Sequence, residues 1–380
     1  MGDRRIATNR IAVDPDVHSP LSSLQLISQG NYLDRFLLDP SGSDRKWSTV
    51  GVRRNGQRSP DLTKRLIAPN RYQNLRRQGY LMPSDEQMFE SYEAGHLVAL
   101  VLDSDRTNPL FWAPVHDPQH ILDLGTGKGI WAIDVADMFP NATIRGVDLF
   151  PPPISWMPPN CVLEVDDVLQ EWTWRDPFDL IHMRSMIGSF GPAEWDRVYN
   201  ECYNKLQPGG WIEQLEASPR VECDDGSLPE DNILHTWAPN IFACGEAAGR
   251  RCDTIDTMSK TIRKAGFVDV REKTYKWPIG PWARDQRYKE AGTVNFQHWM
   301  SGMEGWSMWL LTKFGAPEPW TQDEVLVYVA RLRNELKDPR FHLYQRARRV
   351  WARKPFPGEI ERSVEMRERS AGQSDISAER

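Results

Sequence analysis

The stretch HILDLGTGKGIWAIDVADMFPNATIRGVDLF, residues 120–150, decides the fold. A short apolar run, His120 to Leu124, leads into Gly125, Gly127 and Gly129 at alternate positions. A helix-like run closed by Pro140 follows, then a second apolar run that ends in Asp148. Strand, glycine turn, helix and strand form the setting of a loop that approaches a nucleotide-like cofactor. A P-loop needs Ser or Thr after its lysine, but Lys128 is followed by Gly129 and Ile130. A dinucleotide fingerprint, G-x-G-x-x-G, needs a third glycine where Ile130 stands. Two carboxylates remain beside the loop: Asp123, two residues before the first glycine, and Asp148, at the end of the second run. A carboxylate in the second position can accept both hydroxyls of a ribose.

Outward from this stretch the α/β alternation continues. Residues 83–102, PSDEQMFESYEAGHLVALVL, predict a helix capped by Ser84 or Asp85, with Met88, Tyr92 and His96 at i, i+4 spacing. CVLEVDD (161–167), FDLIHMR (178–184), GWIEQLEA (210–217) and VDVREKTYKWPI (268–279) read as strands. PAEWDRVYNECYNKL (192–206) and TIDTMSKTIRKAGF (254–267) read as helices. Strands and helices in this order imply a largely parallel sheet covered on both faces. Helical insertions are expected at about 226–250 and 281–350, the second containing the amphipathic DEVLVYVARLRNEL. Insertions on such a sheet commonly form a lid or an acceptor pocket. Trp299, Trp306, Met300 and Met303 either line such a pocket or fill a second small core. Residues 1–65 read as a largely disordered segment, 66–355 as the domain, and 356–380 as a charged disordered tail.

The 380 residues suffice for one large domain with additions. A net charge of -6 speaks against nucleic acid or an anionic membrane as partner, and clusters such as Arg53 to Arg58 read as solvated faces. Five scattered cysteines without a C-x-x-C pair argue against a disulfide scaffold or a zinc site and suit a reducing compartment. No apolar run is long enough to span a bilayer, so an intracellular protein of cytoplasm or nucleus is expected, with no metal.

The segment D-L-G-T-G-K-G, Asp123 to Gly129, resembles the first motif of class I S-adenosylmethionine (SAM)-dependent methyltransferases. The resemblance implies a Rossmann-like fold, a mostly parallel seven-stranded sheet with helices on both faces and helical lid insertions. It also implies SAM as cofactor. In that family the glycines let the backbone lie against the methionine and ribose, and Asp123 would help hold the ammonium group. Asp148 would take the ribose hydroxyls, with Asp167, or its neighbour Asp166, reaching the adenine amino group. Thr126, Leu149, Val168 and His182 would complete the lining. With YLMPSDEQMFESYEAGH, FDLIHMR, LQPGGWIEQLE and GPWARDQR, the chain from roughly Tyr72 to Pro355 resembles the fungal LaeA-like methyltransferases. That group includes a regulator of the velvet complex and many secondary-metabolism relatives. It implies a methyltransferase acting on oxygen or nitrogen of a small-molecule acceptor, or a regulator working through a protein partner. It further implies that Tyr80 and the helix around His96 close over the cofactor. Lys128, where the family often has Thr or Cys, is expected to point to solvent.

Methyl transfer from a sulfonium is an in-line displacement that rests mainly on positioning, able to supply on the order of 7–11 kcal/mol. A general base is needed only for a protonated acceptor. His182, at the end of the fourth strand, and His96, on the capping helix, are the candidates; a buried histidine can equally be a satisfied core group. Arg184 can share the His182 face or pair with Glu213 or Glu216 beneath the sheet.

Overall fold

The computed structural model describes residues 10–15, 85–150 and 157–359. Tyr80, nearly all of the predicted N-terminal segment and the tail from 360 lie outside the described residues. Helix α1 (Glu86–Leu102) begins at Asp85, whose carboxylate accepts from the Met88 N–H at 2.9 Å. Strand β1 (His120–Leu124), helix α2 (Ile130–Met138) and strand β2 (Thr143–Asp148) follow from the glycine stretch. Next come β3 (Cys161–Val165), β4 (Phe178–Arg184), α3 (Pro192–Lys205) and β5 (Leu206–Ala217). Pro192 opens α3, where its missing N–H costs nothing. The short β6 (Glu222–Cys223) precedes a 3-10 turn and α4 (Trp237–Ala247). Helix α5 (Thr254–Lys264), β7 (Val268–Pro278), α6 (Gln286–Phe314), α7 (Gln322–Leu336) and β8 (Leu343–Arg353) complete the described chain.

The strands form one mixed sheet in the order β3-β2-β1-β4-β5-β8-β6, with β7 pairing β8. Strands β1 to β5 are parallel; β8 runs antiparallel to β5, with Trp211 opposite Arg353 and Ala217 opposite Ala347. Eight strands rather than seven result, because the two-residue β6 pairs with the start of β8. The order reverses at β1, which lies between β2 and β4. Sheets of this kind bind ligands beyond the carboxyl ends of the strands at that reversal. One face packs α3 and α5 over Leu124, Ile181 and Ile212, and the other packs Trp131 and Val135 of α2 over Ile121, Ile144 and Leu180. Each such aliphatic side chain contributes about 1.5–3 kcal/mol on full burial.

Helices α4, α6 and α7 bury a separate cluster with Trp237, Trp299, Met303 and Leu332. Met303 thus belongs to a second core. Strand β8 falls largely where the sequence suggested a helical insertion, at about 281–350. Its arginines hide the strand pattern, yet Arg349 is 1% exposed in mid-sheet. Its guanidinium donates to Glu213 of β5 and, at 2.9 Å, to Asp103 at the end of α1. Glu213 also accepts from the Trp112 and Ala113 N–H groups, and Asp103 from the Trp112 indole and the Tyr275 hydroxyl. Residues 10–15 are docked rather than loose: Val13 bridges Ala283, and the Asp14 N–H donates to the Trp282 carbonyl at 2.8 Å. All five cysteines are free thiols. Among the described residues no helix is long and apolar enough to cross a membrane.

Candidate functional site

The loop between β1 and α2 stands at the sheet's reversal point. Gly125, Gly127 and Gly129 all take positive φ, at 67°, 58° and 82°. An L side chain strains such a backbone by roughly 1–2 kcal/mol. At Gly127 a Cβ would meet no atom within 4 Å, so this backbone faces open space in the cleft. The loop is tied to β2 by Gly125 and Thr126 N–H bonds to the Val147 carbonyl. The Asp148 carboxylate accepts from Gly127 N–H at 2.8 Å and Phe150 N–H at 3.2 Å. Burial on the cleft floor pushes this carboxyl up to about 6, against the pull of these backbone donors; the nearby Asp123 charge adds to the rise.

Asp123 ends up almost fully buried. It accepts from the Thr126 hydroxyl at 2.7 Å and from His182 Nδ1 at 2.7 Å. A carboxylate partner makes Nδ1 the protonated nitrogen of His182. Trp131 covers the ring face, with centroids 3.7 Å apart and planes 6° from parallel. His182 is 1% exposed, and burial lowers its basicity. His96 has both nitrogens committed. Arg184, a pure donor, reaches His96 Nδ1 at 2.8 Å, so Nε2 carries the hydrogen and donates to Asp134 at 2.8 Å. No nitrogen of His96 is left to take a proton from an acceptor. Arg184 therefore pairs with His96 of α1, not with Glu213 or Glu216. Glu216 instead receives the Met186 and Ile187 N–H groups.

Asp166 is exposed at the rim of the cleft, and Asp167 folds into a turn, accepting from Leu169 N–H at 3.0 Å. Leu149 and Val168 line the same cleft, about 1110 Å³ of empty space counting its mouth. Phe89, Tyr92 and His96 of α1 form its opposite wall. Lys128 does not point to solvent. Its ammonium pairs with Glu93 of α1 at 2.8 Å and sits over the Phe89 ring, leaving the side chain 15% exposed. The loop is thereby fastened to α1. Two features carried no local signal in the sequence. Ser185, just after β4, takes φ 56°, a conformation that costs a non-glycine residue energy and clusters at functional sites. A second, apolar cavity adjoins the cleft, and Tyr92, Ser185 and Ser189 line both. Trp299 and Trp306 line this cavity as well as packing the second core, and neither His96 nor His182 reaches it.

The cradle fits SAM. It combines a glycine backbone open to the cleft, a carboxylate at the end of β2 and a buried carboxylate beneath the loop, while the Lys128 ammonium is drawn away to Glu93. Fold and site together define a class I SAM-dependent methyltransferase. A family described as methyltransferase domain matches residues 85–272. Methyltransferase pytC of Aspergillus terreus is 35% identical over 289 residues, 75% of this chain and 86% of that protein. The secondary metabolism regulator laeA of Monascus pilosus is 32% identical over 290 residues, 75% of this chain and 76% of that protein. Among solved structures, phosphoethanolamine N-methyltransferase 2 of Haemonchus contortus with S-adenosyl-L-methionine aligns over 70% of this chain and 56% of its own, at 16% identity and TM-score 0.41. The chain belongs to the fungal LaeA-like methyltransferases, and its cofactor is SAM.

Proposed function

We propose that the protein transfers a methyl group to oxygen or nitrogen of a small-molecule acceptor, within fungal secondary metabolism. The observation that carries this reading is the apolar cavity joined to the cofactor cleft at Tyr92, Ser185 and Ser189. A regulator that acted only through a protein surface would not need such an apolar cavity beside the donor. The similarity to pytC, a named methyltransferase, supports the same reading. SAM, when bound, supplies an electrophilic methyl on a sulfonium with a good leaving group.

In this reading the chain's residues orient the reactants. Asp148 holds the ribose hydroxyls, while Asp123, fixed by His182 and Thr126, faces the ammonium group. Asp166 and Asp167 lie toward the adenine, with Leu149 and Val168 against its ring. His182 serves as a positioning residue for Asp123 because Trp131 shuts its ring off from the acceptor side. Calorimetric titration of the full chain with SAM tests the cofactor site, and absence of binding by folded protein refutes it. A second reading, regulation through a protein partner, is favoured by relatives named as regulators of secondary metabolism. Metabolite profiles of a deletion strain separate the two. Loss of one methyl group in one compound supports the enzyme, whereas silencing of several pathways supports the regulator.

A further inference from the structure

The cavity has mostly apolar walls, with a few neutral polar side chains such as Ser218 and Gln345 among them. Trp237, Trp299 and Trp306 meet there pairwise at ring-centroid distances of 5.7 to 6.5 Å, with Ile241 and Leu310 beside them. No Asp, Glu, Lys or Arg lines it, so a charged guest would lose its hydration without gaining a partner. Aromatic faces and edges suit a planar aromatic guest. The space amounts to about 780 Å³ counting its open mouth.

His298 of α6 also lines this cavity, and its tautomer follows from its neighbours. The Ser91 hydroxyl donates to the His298 carbonyl at 2.9 Å. His298 Nδ1 stands 2.7 Å from the Ser91 carbonyl, which can only accept, and 3.0 Å from the Ser91 Oγ. Nδ1 therefore carries the hydrogen, and the neutral ring keeps its lone pair on Nε2. No hydrogen-bond partner of Nε2 stands among the described residues. Gly95 keeps the ring close to α1, since a Cβ there would lie 3.3 Å from its Cε1. Burial pushes the imidazole down to about 4, which holds the ring neutral at physiological pH. In the same wall the Trp237 indole N–H finds no acceptor among the described residues.

We infer that this cavity is the acceptor site for a neutral, planar aromatic hydroxyl compound and that His298 Nε2 is the catalytic base that receives its proton. The inference rests on the methyltransferase reading above and adds the substrate class and the base. The acceptor oxygen forms the new O–CH3 bond with a lone pair as the C–S bond of the donor breaks, its electrons remaining on sulfur. The hydroxyl proton passes to Nε2 and on to water at the cavity mouth, so no imidazolium persists against walls that hold no counter-charge. Tyr92 and Ser185, common to both spaces, mark where the methyl crosses.

Equilibrium dialysis of the full chain with 2-naphthol, naphthalene and 2-naphthoate tests this without turnover. One hydrogen bond to a buried acceptor predicts 2-naphthol binding about tenfold tighter than naphthalene. The 2-naphthoate anion is expected to be excluded. His298→Asn keeps a donor for the Ser91 carbonyl but deletes Nε2, and should bring 2-naphthol to the level of naphthalene with naphthalene unchanged. His298→Phe should do the same and stands in should the first variant not fold. Ala217→Leu, which fills part of the cavity, should weaken both neutral probes and leave SAM affinity intact. Equal binding of 2-naphthol and naphthalene by the native chain overturns the proposal, as does a preference that survives loss of Nε2 or tight binding of the anion. The probes need no cofactor, so a failure of SAM to bind would sink the cofactor reading separately.

Discussion

Asp148 couples acidity to cofactor binding in a direction that can be worked out. Its carboxyl titrates near 6 in the cofactor-free protein, against an ordinary value of 3.8, because the cleft floor disfavours the charge. Ribose hydroxyls need the ionised form to accept two hydrogen bonds. At pH 5 about nine-tenths of the free protein carries a proton there and at pH 7 about one-tenth, so SAM affinity should fall about tenfold between pH 7 and pH 5. The same shift acts oppositely on stability. A folded-state value raised above the unfolded one gives stability that is full below about pH 4 and lost as pH rises through 6, by at most about 3 kcal/mol. Asp148→Asn removes the ionising group. It should therefore melt a few degrees higher than the native protein at pH 7 without cofactor, yet bind SAM at least about tenfold more weakly and without pH dependence. Calorimetry at pH 5, 6 and 7, with thermal melts of both proteins, gives the answer. A native affinity that is flat across this range, or an Asn variant that binds as well as the native chain, would refute the reasoning.

Three further outcomes are expected. Gly127→Val puts a branched side chain on a backbone at φ 58° and into the cleft, so SAM binding should be lost in a folded protein; unchanged calorimetric affinity would remove this glycine from the site. Arg349→Met leaves Asp103 and Glu213 buried without their cation, and should cost about 3–5 kcal/mol, seen as a melting temperature lower by roughly 10 °C. Lys128→Ala unties the loop from α1; because Glu93 is partly exposed, stability should change by less than about 1 kcal/mol while SAM dissociates several-fold faster in stopped flow. An unaltered dissociation rate would show that α1 is held against the loop by packing alone.

The parts of this protein that could be read from sequence are those whose physics is local. Asp123, the three glycines and Asp148 lie within a single β-α-β unit, and their spacing alone sets the loop beside both carboxylates. Helix α1 announced itself by its cap and spacing, and α7 by its amphipathic pattern. Strand β8 did not, because Arg349 looks like a solvent residue until Asp103 and Glu213, 246 and 136 positions away, are brought against it. His298 was silent for the same reason: its tautomer is fixed by Ser91, 207 residues earlier. Lys128 sits beside the glycines in sequence, but the acid that draws it inward belongs to another helix. Histidines 96 and 182 were visible as residue types, whereas their roles depend on which nitrogen each partner occupies.

The position of β8 bears on how the chain is made. Strand β5, at the heart of the sheet, has an open edge until residues 343–353 arrive, and Glu213 has no counter-charge until Arg349 is present. A ribosome must therefore finish almost the whole described chain before the middle of the sheet can close. Prematurely terminated products would carry an unpaired strand and a buried, unneutralised carboxylate, features that favour aggregation and degradation. Closure of the β5 edge and neutralisation of Glu213 thus both wait on a strand more than 120 residues later in the chain.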